Sequence, residues 1–312
     1  MKNRPLITVI IPCYNDPHLF ESIDSVLVQQ YPAIELIVAD DGSAENRRDE
    51  VLSYVQQHQH GNIASVQYRR SETNQGTVQN INQAIAHSSG DPIFTLASDD
   101  VLYDEKVLED WVRAFEESNA HVVVGWRSVC DETLSREYHL APTGKQLRLL
   151  RQGNPKKIWK ELCRDNFLFG CATARSRKCV EEYGAVPSCY RLIEDYPMNL
   201  RWYRMGARVM FMERTVVKHR KGGTSAANNV SDVYHQDTRE IYRQEVFPYV
   251  RFPFLWNIHM NKRICQRNRE RDYLLMRRKN PSFAWNVLCH LRYPEIIVKY
   301  IKSHYRMHDS SQ

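Results

Sequence analysis

Apolar residues along this chain keep two alternating rhythms. Residues 6–11 form a continuous run rich in β-branched side chains, closed by Pro12. Such a run suits a strand buried on both faces of a parallel sheet. Asp16 and Pro17 open a segment in which Leu19, Ile23, Val26 and Leu27 recur at helical spacing, and Tyr31-Pro32 stops it. The alternation then repeats. A strand is predicted at 34–39, a helix at 49–57 and a weaker strand at 63–68. After a turn at Asn74-Gln75-Gly76 comes a helix whose apolar face is Val78, Ile81, Ala84 and Ile85. Gly90-Asp91-Pro92 leads into another strand, followed by a helix over 105–117 and a strand over 121–125. Strand–helix alternation with short loops predicts an α/β fold, a mostly parallel sheet flanked by helices with right-handed crossovers.

Past residue 127 the rhythm weakens. Residues 127–168 read as irregular and polar, with Gly144, Gly153, Asn154 and Pro155 as loop marks. A region of this kind is expected to carry substrate contacts rather than core. Short helices at 176–183 and 195–205 are closed by Gly184 and Gly206. Strands are expected at 207–212 and 215–218, then a loop at Lys221-Gly222-Gly223-Thr224-Ser225. From 232 onward the pattern is mainly helical, broken at Pro248, Pro253, Pro281 and Pro294. The expected division is one domain over 1–230 and a helical C-terminal extension over 231–312.

Candidate chemistry lies where the apolar runs stop. The second strand ends on Asp40-Asp41 and the fourth on Asp99-Asp100, while Glu194-Asp195 opens a helix. Strands that stop on acids aim them out of the carboxyl edge of a sheet, where open α/β sheets bind ligands. Two adjacent carboxylates repel unless a cation joins them, and a metal held by one or two carboxylates commonly also holds phosphates. Asp99 as a helix cap with Asp100 as a solvated first-turn acid is the plainer alternative. Near the first two clusters, Tyr14 offers a ring to stack on a base, and an Asp can accept an imide N–H or bind ribose hydroxyls. No Gly-x-Gly-x-x-Gly follows the first strand, which argues against a dinucleotide dehydrogenase.

Composition narrows the setting. The 312 residues, 42% hydrophobic and 26% charged, suit one large domain with or without an appendage. The eight cysteines are scattered without metal-site spacing, and residues 1–11 carry no signal-peptide cleavage pattern. The expectation is a cytoplasmic chain with reduced thiols. Residues 251–312 hold 13 Lys or Arg against 4 Asp or Glu, an excess larger than the whole chain's +6. There Phe252, Phe254, Leu255 and Trp256, and later Ile296, Ile297, Val298 and Tyr300, interleave with cations. This suggests peripheral contact with an anionic membrane on its cytoplasmic face; a solvated helical surface is the alternative. Charge alone would favour nucleic acid, and no nucleic acid partner is expected.

Several blocks in order resemble one family. Val9-Ile10-Ile11-Pro12-Cys13-Tyr14-Asn15 with Ala39-Asp40-Asp41-Gly42-Ser43 is similar to the opening of the inverting glycosyltransferases of family 2, which have the GT-A fold. Asn74-Gln75-Gly76 with Asn82-Gln83-Ala84-Ile85 resembles a further block. Leu96-Ala97-Ser98-Asp99-Asp100-Val101-Leu102-Tyr103 resembles the metal-binding Asp-x-Asp region, and Arg191-Leu192-Ile193-Glu194-Asp195-Tyr196-Pro197 the Glu-Asp motif. The likeness runs over about 5–225. It implies a nucleotide-binding half at about 1–103 and an acceptor-binding half at about 104–230.

The same resemblance implies roles. Pro12, Tyr14, Asn15 and Asp41 would hold the nucleotide, of a uridine or thymidine diphosphate sugar. Asp99 would touch the ribose or share the metal, and Asp100 would coordinate Mg²⁺ or Mn²⁺. Ala97 stands where many members carry an additional Asp, leaving the division between Asp99 and Asp100 open. Arg220 and Lys221, expected in a mobile Gly-Gly loop, would face the diphosphate. Asp195, paired with Glu194, would be the base that takes the acceptor's proton, the acceptor being a glycan or lipid-linked glycan of a cell-surface polysaccharide. His219 could add a ligand, but a lone histidine near a strand end is more often structural or solvated. Gly170 and Cys171 fall where the family lines its acceptor side, and packing explains them equally well. Trp126, Trp159 and Trp202 could stack on sugars, though core aromatics are commoner. A nucleotidyltransferase would need a Gly- and Lys-rich loop after the first strand, which is absent. A non-catalytic nucleotide- or glycan-binding subunit of a synthase complex is the remaining alternative.

Overall fold

The structure is a computed structural model that describes residues 4–222 and 231–279. The first half follows the alternation read from the sequence: β1 (Ile7–Cys13), α1 (Leu19–Leu27), β2 (Ile34–Asp40), α2 (Arg48–His58), β3 (Ile63–Arg70), α3 (Thr77–Ala86) and β4 (Ile93–Thr95). β1 pairs in parallel with β2 on one side and β4 on the other, and β3 adds outside β2. The continuous apolar runs are buried as expected for strands covered on both faces: β2 is buried along its whole length. That includes Glu35, whose carboxylate accepts Thr8 Oγ1 at 2.6 Å and the Ser89 N–H and Oγ at 2.8 Å. Burial alone would raise its pKa; those donors reverse the effect and hold it below the ordinary value.

The second half is a mixed sheet. β5 (Val101–Leu102), α4 (Val107–Ser118), β6 (Val122–Cys130), β7 (Glu137–Ala141), α5 (Gly144–Gln152), α6 (Pro155–Leu162), β8 (Thr173–Arg175), α7 (Arg177–Tyr183), α8 (Asp195–Met205) and β9 (Val209–Arg220) follow in order. The strand order is β3-β2-β1-β4-β8-β6-β9-β5, with β7 beside β6. β8 runs antiparallel to both β4 and β6, and β5 antiparallel to β9. One apolar cluster covers the face under α1, α2 and α4, including the fully buried Trp111. A second lies around α6 and α8, where Tyr196, Met198, Leu200 and Trp202 are buried, and a third, smaller one under α3. Each such side chain contributes roughly 1.5–3 kcal/mol, so α8 is a fixed platform for the acids at its start.

Three expectations are corrected. Residues 127–168 are not irregular: they hold the end of β6, β7, α5 and α6. Gly153 closes α5 in the left-handed conformation (φ 62°), and Asn154 caps α6 through Oδ1, which accepts the Lys157 N–H at 3.1 Å. Pro155 fills the first turn of α6. The residues read as loop punctuation are helix ends. The two strands expected at 207–212 and 215–218 are one strand, β9, whose register with β6 shifts near Trp126. Arg220 closes that strand rather than lying in a loop.

The C-terminal segment continues as α9 (Asp232–Ile241), a π-helical turn (Tyr242–Val246), a 3-10 turn (Phe247–Tyr249) and α10 (Pro253–Lys279). Glu245, in the π turn, accepts Arg201 at 2.7 Å and Arg204 at 2.6 Å, both from α8. Along α10, Phe254, Leu255 and Ile258 are exposed while Met260 and Ile264 are buried. The breaks expected at Pro281 and Pro294, and the apolar run at 296–300, lie outside the described residues. So do Gly223, Thr224 and Ser225 of the expected loop. No helix among the described residues is long and apolar enough to cross a membrane, and all described cysteines are free thiols.

Candidate active site

Parallel register brings the ends of β1 and β2 level, with Cys13 beside Asp40. The loops that follow are tied to each other. Asn15 adopts a left-handed conformation (φ 51°); its N–H donates to Ser43 Oγ at 2.9 Å and its Oδ1 accepts the Ala44 N–H at 2.8 Å. Asp40 is turned inward and accepts from Ser43, Tyr68 and Arg70. Both oxygens of Asp41 accept backbone N–H groups, Gln75 and Gly76, at 2.8 Å. A contact from Asp41 to a nucleotide would therefore use its remaining lone pairs. Gly42 sits against this turn: a Cβ there would meet the Thr73 carbonyl carbon at 2.7 Å. Pro12 is half-buried in the floor, and the Tyr14 ring is 51% exposed, open to a planar ligand.

The acids after β4 enter a cavity of about 370 Å³ together with the acids that open α8. Asp100 is fully buried, and its Oδ1 accepts the Arg220 N–H at 2.9 Å. His219 Nδ1 lies 3.0 Å from both Asp100 oxygens. The cause is register: β5 and β9 pair Val101 with Lys218, so the next pair outward is Asp100 with His219. Burial, then Asp100 and Asp16, push the Asp99 carboxyl up to about 6. Two carboxylates crowded in this way favour a cation between them.

Asp100, His219 and Cys171 offer ligand atoms within 4.8 Å of one another. Burial raises the Cys171 thiol well above its ordinary range. Carboxylate oxygens suit Mg²⁺ or Mn²⁺. Asp100 and His219, with the Cys171 sulfur close to both and Asp99 next in the chain, thus offer a donor set for a divalent cation. Arg220 approaches from behind: its Nε donates to the Asp99 carbonyl at 2.9 Å, and its other nitrogens to the Glu132 carbonyl and to Glu21. This guanidinium is 5% exposed and braces the acidic loop. Lys221 is exposed, its ammonium 5.5 Å from the centre of the Tyr138 ring.

In the same cavity, Asp195 Oδ2 accepts Asn166 Nδ2 at 3.0 Å and the Gly170 N–H at 3.1 Å. Burial raises the Asp195 pKa, while these donors and Arg127 favour its ionised form. Glu194 is pushed up to about 8 by burial and by Asp195. The pair therefore shares one proton more readily than it loses both. Gly170 gives the Glu194 carboxyl its room: a Cβ there would lie 2.7 Å from Glu194 Oε1, which would have to move. Arg127 also lines the cavity, with its guanidinium 3.3 Å from the centre of the Phe169 ring and its Nε buried without a partner. The three tryptophans singled out in the sequence do not line this cavity. Trp126 donates to the Pro142 carbonyl at 3.1 Å, and Trp202 is buried core.

The C-terminal helices belong to the same site. Asp237 of α9, 2% exposed, accepts the backbone N–H groups of Arg191, Leu192 and Ile193 at 2.6–3.1 Å. It thereby fixes the loop that delivers Glu194 and Asp195. Tyr234, His235, Thr238, Arg263 and Arg267 complete the wall. Sequence reading found both acidic pairs but missed Arg127, Asn166 and Asp237, and set His219 aside. No local motif marks these residues; they arrive by pairing and packing between distant segments.

Residues 8–184 match the model of Glycosyl transferase family 2. An uncharacterized glycosyltransferase of Rickettsia prowazekii, RP339, is 36% identical over 227 residues, covering 72% of this chain and 66% of that protein. The glycosyltransferase GlyG of Streptococcus pneumoniae is 31% identical over 121 residues, 38% of each chain. The chain spans about a third of the length of several such relatives, 36% of one from Rickettsia felis. Among solved structures, the mannosyltransferase PcManGT of Pyrobaculum calidifontis, in complex with GDP-Man and Mn²⁺, superposes with a TM-score of 0.60 at 16% identity. That match covers 98% of this chain and 84% of the other. S. aureus TarS in complex with UDP-GlcNAc gives 0.55 at 17% identity, over 76% of this chain and 66% of that one. With the sheet, its helices and the acidic edge already in place, the fold is GT-A and the chain belongs to glycosyltransferase family 2.

Proposed function

We propose that this chain transfers a sugar from a nucleoside diphosphate donor, with inversion, to a hydroxyl of a glycan or lipid-linked acceptor used in a cell-surface polysaccharide. One observation carries the reading: Asp99, Asp100 and His219 line the same cavity as Asp195. The loops at Tyr14, Asn15 and Asp41 lie at the sheet edge where the base and ribose would rest. Uridine or thymidine is the favoured base by family resemblance; relatives in complex with GDP-Man and with UDP-GlcNAc make both bases worth testing.

Asp99, Asp100 and His219 would hold Mn²⁺ or Mg²⁺, which when bound stabilises negative charge on a leaving diphosphate. The rest falls to side chains of the chain itself. Asp195 would accept the proton of the acceptor hydroxyl, which grows acidic as its bond to the anomeric carbon forms. Asn166 and Gly170 fix the carboxylate so that one oxygen faces the acceptor. Glu194, carrying the shared proton, keeps Asp195 ionised. Attack by a hydroxyl held at Asp195, on the face of the sugar away from the leaving diphosphate, would invert the anomeric centre. The exposed Phe254, Leu255 and Ile258 of α10 beside a cationic tail support peripheral contact with an anionic membrane, consistent with a lipid-linked acceptor. Binding to anionic vesicles that is abolished by high salt would support that contact, and indifference to such vesicles would remove it.

The test of the main reading is a thermal-shift panel of UDP, dTDP, GDP and CDP with Mn²⁺, Mg²⁺ or EDTA. A ligand at 100 times its Kd adds about 2.7 kcal/mol. A metal-dependent shift with one nucleotide supports a working donor site. No shift with any of them would favour a glycan-binding subunit without catalysis, for which Ala97 is the sequence argument.

A further inference from the structure

One thiol enters the cavity, and the chemistry proposed for the cavity does not use it. Cys171 is the only described cysteine in the lining. It sits in a single 3-10 turn, Gly170–Ala172, that leads into β8. Its sulfur, a carboxylate oxygen of Asp100 and a ring nitrogen of His219 lie within 4.8 Å of one another. Three segments distant in the chain deliver these atoms, so no local turn explains their meeting. The carboxylate and the ring are spaced as ligands of one ion would be. His219 Nδ1 stands 3.0 Å from both Asp100 oxygens. Nitrogen and oxygen ligands about 2.1 Å from one cation, at angles of about 90–109°, lie about 3.0–3.4 Å apart. Burial and Asp100 disfavour the ionised sulfur, and Arg127, also in the lining, favours it.

The three donors differ in kind. Carboxylate oxygen suits Mg²⁺ and Mn²⁺, imidazole suits Zn²⁺ among others, and sulfur selects Zn²⁺ and softer cations. Mg²⁺ gains little from a sulfur. A cation that takes the sulfur displaces its proton to solvent. Arg127 would then face a thiolate, and a cationic partner beside a ligand steadies it. Three protein ligands of mixed type with a fourth place left open is a common Zn²⁺ arrangement. Resting on the reading of this cluster as the cation site of a transferase, we propose that Asp100, His219 and Cys171 form a second binding mode, which captures a thiophilic divalent cation of the Zn²⁺ class through the sulfur. Mn²⁺ or Mg²⁺ is held without the sulfur. Both modes use Asp100 and His219, so they exclude each other. A thiophilic cation thereby shuts out the cation that transfer uses.

The test is spectroscopic titration of the full chain with Co²⁺, which stands in for Zn²⁺. A saturable sulfur-to-cobalt charge-transfer band in the near ultraviolet is expected, and Zn²⁺ should erase it. Cys171→Ser should remove the band and weaken Zn²⁺ binding by about tenfold or more, while the Mn²⁺-dependent thermal shift stays as in the parent. His219→Ala should weaken both. Cys265→Ser, which removes an exposed thiol of α10, should change neither. In the parent, Zn²⁺ should also release bound Mn²⁺, read as the return of the free Mn²⁺ signal in electron paramagnetic resonance. The proposal is overturned if no band forms, if the band survives Cys171→Ser, or if Zn²⁺ that saturates the thiol leaves Mn²⁺ bound. Should Cys171→Ser fail to fold, Cys171→Ala and the release of Mn²⁺ from the parent decide. The shift given by nucleotide with Mn²⁺ reports separately on the donor site. Its absence would remove the transfer reading and leave the cobalt band to be judged by itself.

Discussion

Replacing Asp195 by Asn separates chemistry from binding. In the parent, Oδ2 takes two hydrogen bonds, from Asn166 at 3.0 Å and Gly170 at 3.1 Å. The amide oxygen of Asn can accept both, so the side chain keeps its seat and presents NH₂ where the base oxygen stood. Stability should hold or rise slightly at neutral pH, because a buried charge beside Glu194 is removed. The rate should not survive. A positioned base contributes roughly 10²- to 10⁴-fold, or about 3–5 kcal/mol of barrier at 1.36 kcal/mol per decade. The residues proposed for nucleotide and metal are not among the hydrogen-bond partners of Asp195, so nucleotide binding should change little. The assay pairs release of nucleoside diphosphate in the presence of acceptor with the thermal shift given by nucleotide and Mn²⁺. Turnover within about threefold of the parent, well short of what loss of a base entails, would refute the role of Asp195.

Other outcomes follow from single contacts. His219→Ala should weaken the Mn²⁺-dependent thermal shift by about tenfold in metal concentration; an unchanged metal titration would remove His219 from the donor set. Gly170→Ala places a carbon 2.7 Å from Glu194 Oε1 and should lower kcat by about 10²-fold with little change in nucleotide affinity, read by steady-state kinetics. Asp237→Asn removes one of two oxygens that cap three backbone N–H groups. It should cost about 1–3 kcal/mol in denaturant unfolding and slow transfer through the displaced 191–195 loop. Glu194 is pushed up to about 8 from an ordinary 4.5, so between those values the folded chain holds a proton the unfolded chain has lost. Stability should therefore fall as pH rises from about 4.5 to 8 and level off above. Glu194→Gln should flatten that slope between pH 6 and 8 in thermal melts; an unaltered slope would contradict the assignment.

The strands and helices up to β4, and α4, were legible because each is written locally, in apolar runs and helical spacing; the two-residue β5 was not. Glu194 and Asp195 were legible because they open α8, and Asp99 and Asp100 because they follow an apolar run, although β4 ends at Thr95 and these two acids lie in the turn before β5. His219 was not, because its place beside Asp100 follows from an antiparallel pairing between segments more than a hundred residues apart. Arg220 was misplaced because Lys221, Gly222 and Gly223 read as a loop, whereas hydrogen bonding to β6 extends the strand to Arg220. Gly153, Asn154 and Pro155 misled in the opposite way, since the residues that cap helices are also those that make loops. The contribution of α9 and α10 was hidden behind their charge, which describes their outer surface. Asp237, Arg263 and His235 act on the inner one.

The most direct test of the central claim is proton NMR of the transfer reaction with the donor and cation identified by thermal shift. The account predicts metal-dependent consumption of the sugar nucleotide and a product whose anomeric configuration is opposite to the donor's, both abolished in Asp195→Asn. A product that retains the donor's configuration, or donor turnover indifferent to Asp195, would contradict it.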